Sequence, residues 1–431
     1  MKKMDTTLMH PREQIVMIIK RIYMGGLTTT SGGNVSIMDE NGDIWVTPSA
    51  VDKGSLRESD IMQVKKNGEI TGRHKPSSEF PFHKAIYDSR PDIKAIIHAH
   101  PPALVSFSII HQIPDTNIIP QAKFVCGPIG YAPYELPGSD KLGNKIATEF
   151  KKGFKALIME NHGTVVGGSD LKNAYERFET LEFCARTIIN AKTIGEPRFL
   201  TDSMIDEFES QIPHDLPTFD DVSYPSDERE KRAEICSIVR RASDQGLMRS
   251  TYGTVSVRWK GNDFLITPTN VARWDLQLED VVQIRGGKGE AGKIPSRSIQ
   301  LHQQIFSMHP EIDVIILTQP PGLMAFGVTD APYNVRTIPE SWIFLQDVPK
   351  VPFGSQFAGN DIIPKLISKN TPAILIENDS VLVTGKSVLQ TFDRLEVAEF
   401  SARSLIMAAP MGELLPINDQ QVEELRRKFL S

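Results

Sequence analysis

The spacing of apolar residues along this chain switches repeatedly between the period of a helix and the period of a strand. From Pro11 to Gly25, the residues Ile15, Ile18, Ile19 and Ile22 recur one helical turn apart, which predicts an amphipathic helix ended by Gly25-Gly26. After the turn Thr30-Ser31-Gly32-Gly33-Asn34, Val35-Ser36-Ile37 alternates as a strand, and Asn41-Gly42 folds it back as a hairpin along Ile44-Trp45-Val46-Thr47. Polar connections lead to Lys75-Pro76-Ser77-Ser78-Glu79, which opens a helix running to about Ser89. The apolar run Ala95-Ile96-Ile97 reads as a buried strand. A long loop region through Tyr131-Ala132-Pro133-Tyr134 follows, then a strand ending at His162 and a helix from about Leu171 to Thr193.

The same order then recurs. Tyr252-Gly253-Thr254-Val255-Ser256-Val257 answers Gly32-Gly33-Asn34-Val35-Ser36-Ile37, and Ile266-Thr267-Pro268-Thr269 answers Val46-Thr47-Pro48-Ser49. Pro310-Glu311-Ile312-Asp313-Val314-Ile315-Ile316 answers Pro91-Asp92-Ile93-Lys94-Ala95-Ile96-Ile97, and Ile235 to Arg241 reads as a counterpart of the first helix. A match of this extent is a tandem duplication. It divides the chain into a domain over residues 1–212, a linker over 213–228 marked by Pro213, Pro217, Pro225 and several aspartates, and a second domain over 229–431.

The strand at Ala95 ends in His98-Ala99-His100. Alternate strand residues point to one face, so both imidazoles leave the sheet together. His162 closes another apolar run, Leu157-Ile158-Met159, at the glycine-marked turn Glu160-Asn161-His162-Gly163. Three neutral imidazoles suit Zn²⁺ with one coordination position left open for a substrate. The second repeat is a control, because both copies must fold but need not both do chemistry. There His98 becomes Leu317, His100 becomes Gln319 and His162 becomes Asp379; Glu79 becomes Ser298, Asn34 becomes Thr254 and Tyr134 becomes Phe353. The apolar framework survives while these polar groups are lost together. His83 keeps its counterpart, His302, and so reads as a structural histidine.

Length and charge narrow the class. With 431 residues, 40% of them hydrophobic, the chain can bury more than one full core. A net charge of -6 with mixed signs offers no basic field for nucleic acid. Cys126, Cys184 and Cys236 are few and odd in number, which argues for a reducing compartment. Met1 to Asp5 leads into no apolar signal core, and no uncharged run is long enough for a bilayer, so a cytoplasmic protein without membrane partners is expected.

Taken together, Ser31-Gly32-Gly33-Asn34, Thr47-Pro48-Ser49, Pro76-Ser77-Ser78-Glu79, His98-Ala99-His100-Pro101 and Glu160-Asn161-His162-Gly163 resemble the class II aldolase/adducin family, the group that includes L-fuculose-phosphate aldolase. The resemblance covers the first half and, more weakly, the second. It implies two tandem α/β/α domains, each around a mostly antiparallel sheet. It also implies one catalytic zinc per chain on His98, His100 and His162, and a sugar phosphate or related hydroxy-carbonyl substrate. The reaction implied is aldol-type cleavage through a metal-stabilised enediolate, with Glu79 as acid/base and Tyr134 helping to protonate the leaving fragment. Family members assemble as rings, so a homo-oligomer is expected. Dehydratase, decarboxylase and epimerase activities share the scaffold, and an adducin-like assembly module without catalysis is the alternative of another class.

For a phosphate, Gly33 permits close approach of backbone amides, Asn34 can donate from its side chain, and Ser77 and Ser78 lie at a helix N-terminus that favours an anion. Ser49, in the matching Thr47-Pro48-Ser49 motif, is counted with them. Taken one at a time, these residues read equally as turns and a helix cap. Glu79 alone also reads as a helix-start carboxylate worth about 0.3–1 kcal/mol. Ala50 stands where sugar-phosphate aldolases of this family usually have glycine, a departure that bears on how closely the backbone can approach a phosphate.

Overall fold

The computed structural model describes residues 8–211, 216–221 and 223–430. Met1 to Asp5 and the linker's Pro213 lie outside the described residues. Two compact units are present: residues up to Thr116 with Gln121–Arg186, and Asn117–Pro120 with Thr187 onward. Among the described residues no helix is long and apolar enough to cross a membrane.

In the first unit the chain runs through α1 (Pro11–Met24), β1 (Asn34–Met38), β2 (Ile44–Val46), β3 (Met62–Val64), β4 (Ile70–Thr71), α2 (Phe80–Ser89) and β5 (Ala95–Ala99). It continues through α3 (Pro102–Ile109), α4 (Pro120–Cys126), β6 (Gly130–Ala132), α5 (Asp140–Lys151), β7 (Ala156–Met159), β8 (Gly163–Gly168) and the start of α6 (Leu171–Ile194). The strands form one sheet in the order β4-β3-β2-β1-β5-β8-β7-β6. Its pairings are antiparallel except β6 with β7. Phe82, Ile86 and Tyr87 of α2 and Leu142, Ile146 and Phe150 of α5 pack with Ile44, Ile96, Leu157, Met159 and Val165 of the sheet. The alternate strand residues Ile97, Ile158 and Val166 are buried too, so both faces of the sheet are covered.

The stretch read as a long loop after His100 differs from that expectation: it contains α3, α4, β6 and α5. Pro102 supplies a preset first turn to α3, and Ser139 caps α5 by accepting from Leu142 N–H at 3.2 Å. The buried Leu142, Ile146 and Phe150 recur at helical spacing, a pattern that the surrounding glycines and prolines had masked.

The second unit repeats the plan. Its helices are α7 (Asp202–Ser210), α8 (Ser226–Asp244), α9 (Ile299–Met308), α10 (Pro321–Gly327), α11 (Pro339–Leu345), α12 (Ile362–Leu366), α13 (Val388–Ala408) and α14 (Asp419–Phe429). Its strands are β9 (Thr218–Phe219), β10 (Thr254–Lys260), β11 (Asp263–Ile266), β12 (Val282–Arg285), β13 (Lys288–Glu290), β14 (Val314–Thr318), β15 (Lys350–Val351), β16 (Ala373–Ile376) and β17 (Ser380–Gly385). The sheet order is β15-β16-β17-β14-β10-β11-β12-β13-β9. Register is preserved between the copies: Asn34 lies opposite His98, as Thr254 lies opposite Leu317. Part of the stretch read as a linker is ordered structure, since β9 pairs in parallel with β13 at the sheet edge.

Helix α8 starts well before the expected Ile235, because its charged first turns are held by a buried ion cluster. Arg232 meets Glu228 at 2.7 Å and Glu290 at 3.0 Å, and Lys293 meets Glu290 at 2.6 Å. Removing the guanidinium strands the buried Glu228 carboxylate and leaves Glu290 to Lys293, so Arg232→Met should lower the stability of this unit by about 3–5 kcal/mol. Urea unfolding followed by Trp fluorescence measures it; a loss under ~1 kcal/mol would mean that the cluster contributes little.

Candidate active site

Four segments of the first unit converge on one point: the end of β5, the turn between β7 and β8, the start of β1, and Glu79 just ahead of α2. Antiparallel pairing sets Ala99 opposite Thr164, so the chain leaving β5 at His100 passes the turn that presents His162. Gly163 makes that approach possible, because a Cβ there would lie 2.6 Å from Ala99 O and 2.7 Å from His100 Cδ2. Gly33 serves β1 in the same way: it adopts φ 71°, and a Cβ on it would fall 2.8 Å from His98 O.

The ring nitrogens of His98, His100 and His162 lie within 4.8 Å of one another. Among the described residues this is the one group of His, Cys, Asp and Glu side chains so placed. His98 Nε2 stands 3.1 Å from His100 Nε2 and 3.1 Å from Glu79 Oε2, while His162 Nε2 is 3.3 Å from Glu79 Oε1. His98 Nδ1 is 2.9 Å from Thr164 O. A carbonyl oxygen only accepts, so Nδ1 carries a hydrogen, which leaves Nε2 as the ring nitrogen that faces the cluster. Three imidazoles and a carboxylate facing one point at this range can hold a cation. Nitrogens around a tetrahedral Zn²⁺ at about 2.0–2.1 Å are themselves ~3.4 Å apart, so the donor set fits such an ion with small rotations.

Burial raises a carboxyl, but the neighbouring His98 and His162 outweigh it, and Glu79 is held well below the usual carboxylate range. Burial alone would lower His98, yet the Glu79 carboxylate raises it. His100 and His162 are each pushed down to about 4, by burial and then by the charge on His98, and keep their lone pairs at neutral pH.

The expected phosphate residues are only partly assembled. Ser77 N–H donates to Thr47 O at 3.1 Å and Ser49 N–H to Lys75 O at 2.9 Å, which ties the two short segments together ahead of α2. Asn34 is engaged elsewhere: its Nδ2 donates to Glu79 Oε2 at 2.8 Å and its carbonyl oxygen faces His83. Ala50, where the resemblance leads to an expectation of glycine, has φ 55°, in the left-handed region that favours glycine. Tyr134 is 56% exposed, and its hydroxyl makes no hydrogen bond among the described residues. Its backbone is pinned, however: N–H to Glu160 Oε2 at 3.2 Å, and O from Lys145 Nζ at 2.9 Å.

Lys53 was missed by the sequence reading. Its buried ammonium donates to Pro48 O at 3.1 Å and so holds the Thr47–Ala50 loop; Arg273, its counterpart, donates to Pro268 O at 3.0 Å. A cation kept in both copies is structural. The second copy of the site has closed on itself. Gln319 Nε2 donates to Asp379 O at 2.6 Å, Thr254 Oγ1 meets Ser296 Oγ at 2.7 Å, and Ser296 Oγ meets Ser298 Oγ at 3.1 Å.

The sequence profile of the Class II Aldolase and Adducin N-terminal domain matches residues 13–189 and again 233–406. The chain belongs to this family. Class II aldolase relatives align to about half of the chain and to nearly all of their own length. A 5-deoxy-D-ribulose 1-phosphate aldolase of Bacillus thuringiensis serovar kurstaki is 34% identical over 47% of this chain and 94% of its own. A 3-oxo-tetronate 4-phosphate decarboxylase of Haemophilus influenzae is 31% identical over 46% and 96%. An L-fuculose phosphate aldolase of Methanocaldococcus jannaschii is 36% identical over 42% and 96%. Two class II aldolase domains in one chain account for the duplicated sheet, and the polar site stands in the first of them.

Proposed function

We propose that this protein is a zinc-dependent carbon–carbon lyase acting on a sugar phosphate, with its chemistry confined to the first domain. The observation that carries this reading is the cluster of three imidazoles facing one buried carboxylate, set in a fold whose second copy keeps the strands and lacks the cluster. His98, His100 and His162 would hold the ion. When bound, a divalent ion supplies Lewis-acid stabilisation of the negative charge that bond cleavage leaves on substrate oxygens.

This chain's own residues do the rest. Glu79 is ionised, buried and held by Asn34, so it can take a proton from a substrate hydroxyl and return one to carbon. Thr164 O fixes the ring of His98. Ser49 and Ser77, drawn together ahead of α2, are suited to hold the phosphate.

The names of the relatives point to two substrates with a common fate. Cleaving C3–C4 of a 2-ketose 1-phosphate releases an aldehyde, and losing CO2 from a 3-oxo-tetronate 4-phosphate breaks C1–C2. Either way the electron pair of the broken bond stays on the same three-carbon fragment, the enediolate of dihydroxyacetone phosphate. Protonation of carbon through Glu79, with the proton taken from the substrate hydroxyl in the cleavage and from solvent in the decarboxylation, completes both reactions. Run backwards, that step exchanges a carbon-bound hydrogen of dihydroxyacetone phosphate with solvent, whichever bond the enzyme breaks.

Two measurements test the reading. Purified protein should carry one zinc per chain, and the metal-loaded enzyme should incorporate solvent deuterium into dihydroxyacetone phosphate. Two metal ions per chain would overturn the confinement to one domain, and absence of exchange would overturn the proton-transfer role. Release of aldehyde or of CO2 from the parent compounds then decides between aldol cleavage and decarboxylation.

A further inference from the structure

Glu79, His83 and Tyr87 lie four residues apart along the start and body of α2, and Asn34 and Ser36 lie two apart on β1. Helix and strand periods therefore bring both sets to one seam. Their side chains interleave. Tyr87 OH lies 2.7 Å from Ser36 Oγ, Ser36 Oγ 2.7 Å from His83 Nδ1, His83 Nε2 bonds Asn34 Oδ1, and Asn34 Nδ2 is 2.8 Å from Glu79 Oε2.

Each hydrogen in this chain has one consistent place. The Glu79 carboxylate only accepts, so the Asn34 amide must turn its NH2 towards it and its oxygen towards His83. That oxygen accepts, so His83 carries its hydrogen on Nε2 and accepts at Nδ1 from Ser36, whose oxygen in turn accepts from Tyr87. Burial pushes His83 down to about 3, so the ring is neutral and has the single hydrogen this pattern needs.

The second repeat shows which part of the chain is scaffolding. Ser256 Oγ still lies 2.7 Å from His302 Nδ1. Phe306 replaces Tyr87, Thr254 replaces Asn34 and Ser298 replaces Glu79. His302 Nε2, buried, has no hydrogen-bond partner among the described residues. The middle serine–histidine pair is kept in both domains, whereas the links on either side of it accompany the carboxylate.

We infer that His83 is a positioning residue: through Asn34 it fixes which oxygen of Glu79 is held and which is left to move a proton. The inference rests on the reading of Glu79 as the proton-moving group. A hydrogen-bond chain running in one direction is strengthened by each member, so His83 reinforces the amide orientation that the Glu79 carboxylate demands.

The test compares variants of the full-length, metal-loaded protein by their rate of solvent deuterium exchange into dihydroxyacetone phosphate. His83→Leu should lower kcat by roughly 10–100-fold while KM and metal content stay as in the parent, the range seen when an outer partner of a site residue is removed. His83→Gln, whose amide can donate to Asn34 and accept from Ser36, should recover most of that loss. His302→Leu removes the same ring from the same packing in the other domain and should lower the melting temperature without changing kcat. Parental kcat in His83→Leu, or a fall that His302→Leu reproduces or that His83→Gln does not relieve, would overturn the inference. Glu79→Gln measured alongside keeps the two ideas apart. If it exchanges at the full rate, the reading of Glu79 fails; if it is slow and His83→Leu is not, the positioning role fails alone.

Discussion

His98→Ala should give a folded protein that has lost its metal and nearly all of its turnover. His98 is fully buried at the end of β5, and its Nδ1–H is fixed by Thr164 O, so its Nε2 is the best-oriented donor of the three. Two imidazoles remain, where a catalytic zinc takes three protein ligands and an open position. Truncation also removes the hydrogen bond to Thr164 O and the imidazole beside the buried Glu79 carboxylate, which together should cost about 1–3 kcal/mol. The remaining strand residues, Ile96 and Ile97 among them, stay buried, so unfolding should remain cooperative at a lower midpoint. Metal analysis and a thermal melt on one sample read both effects. A full equivalent of zinc on His98→Ala would remove the three-histidine assignment.

Glu79→Gln should do the opposite to the metal and the same to the rate. Glutamine is nearly isosteric and can still accept from Asn34, so the histidines keep their arrangement and the ion stays. The variant has no carboxylate to carry a proton, and turnover should fall by about 10²–10⁴-fold, the usual range for a positioned acid/base. The deuterium-exchange assay with dihydroxyacetone phosphate isolates this step from the preceding bond cleavage. Unchanged exchange would reduce Glu79 to a helix-start residue, and loss of zinc would make it a ligand.

The histidine trio was legible because strand alternation and a glycine-marked turn are local signals, and because the second repeat shows what the fold needs without them. The duplication served the fold in the same way: Thr254 opposite Leu317 repeats Asn34 opposite His98, a register that one copy alone would not have revealed. Helices α3 to α5 were less visible. They are short, and the prolines and glycines between them are the residues that punctuate loops. The seam from Tyr87 to Glu79 was out of reach for another reason. Its members are polar residues at 2- and 4-residue spacings on two elements 45 residues apart, and only the packing of α2 on β1 brings them together. His83 was read as structural because His302 survives; the same comparison, taken one residue further to Asn34 and Tyr87, separates the shared pair from the links on either side of it.

Gly163 has a bearing on the second domain as well as on the first. Its counterpart in the second domain is Ser380, at a place where the first domain has room for no Cβ beside His100. Here the clearance for the ring has been filled as well, and Ser380 Oγ is bonded to Asp379 at 2.6 Å. Restoring a histidine at Gln319 would set its ring against the new side chain. A metal site of the same design in the second domain would therefore need Ser380 cleared as well as three ligands supplied.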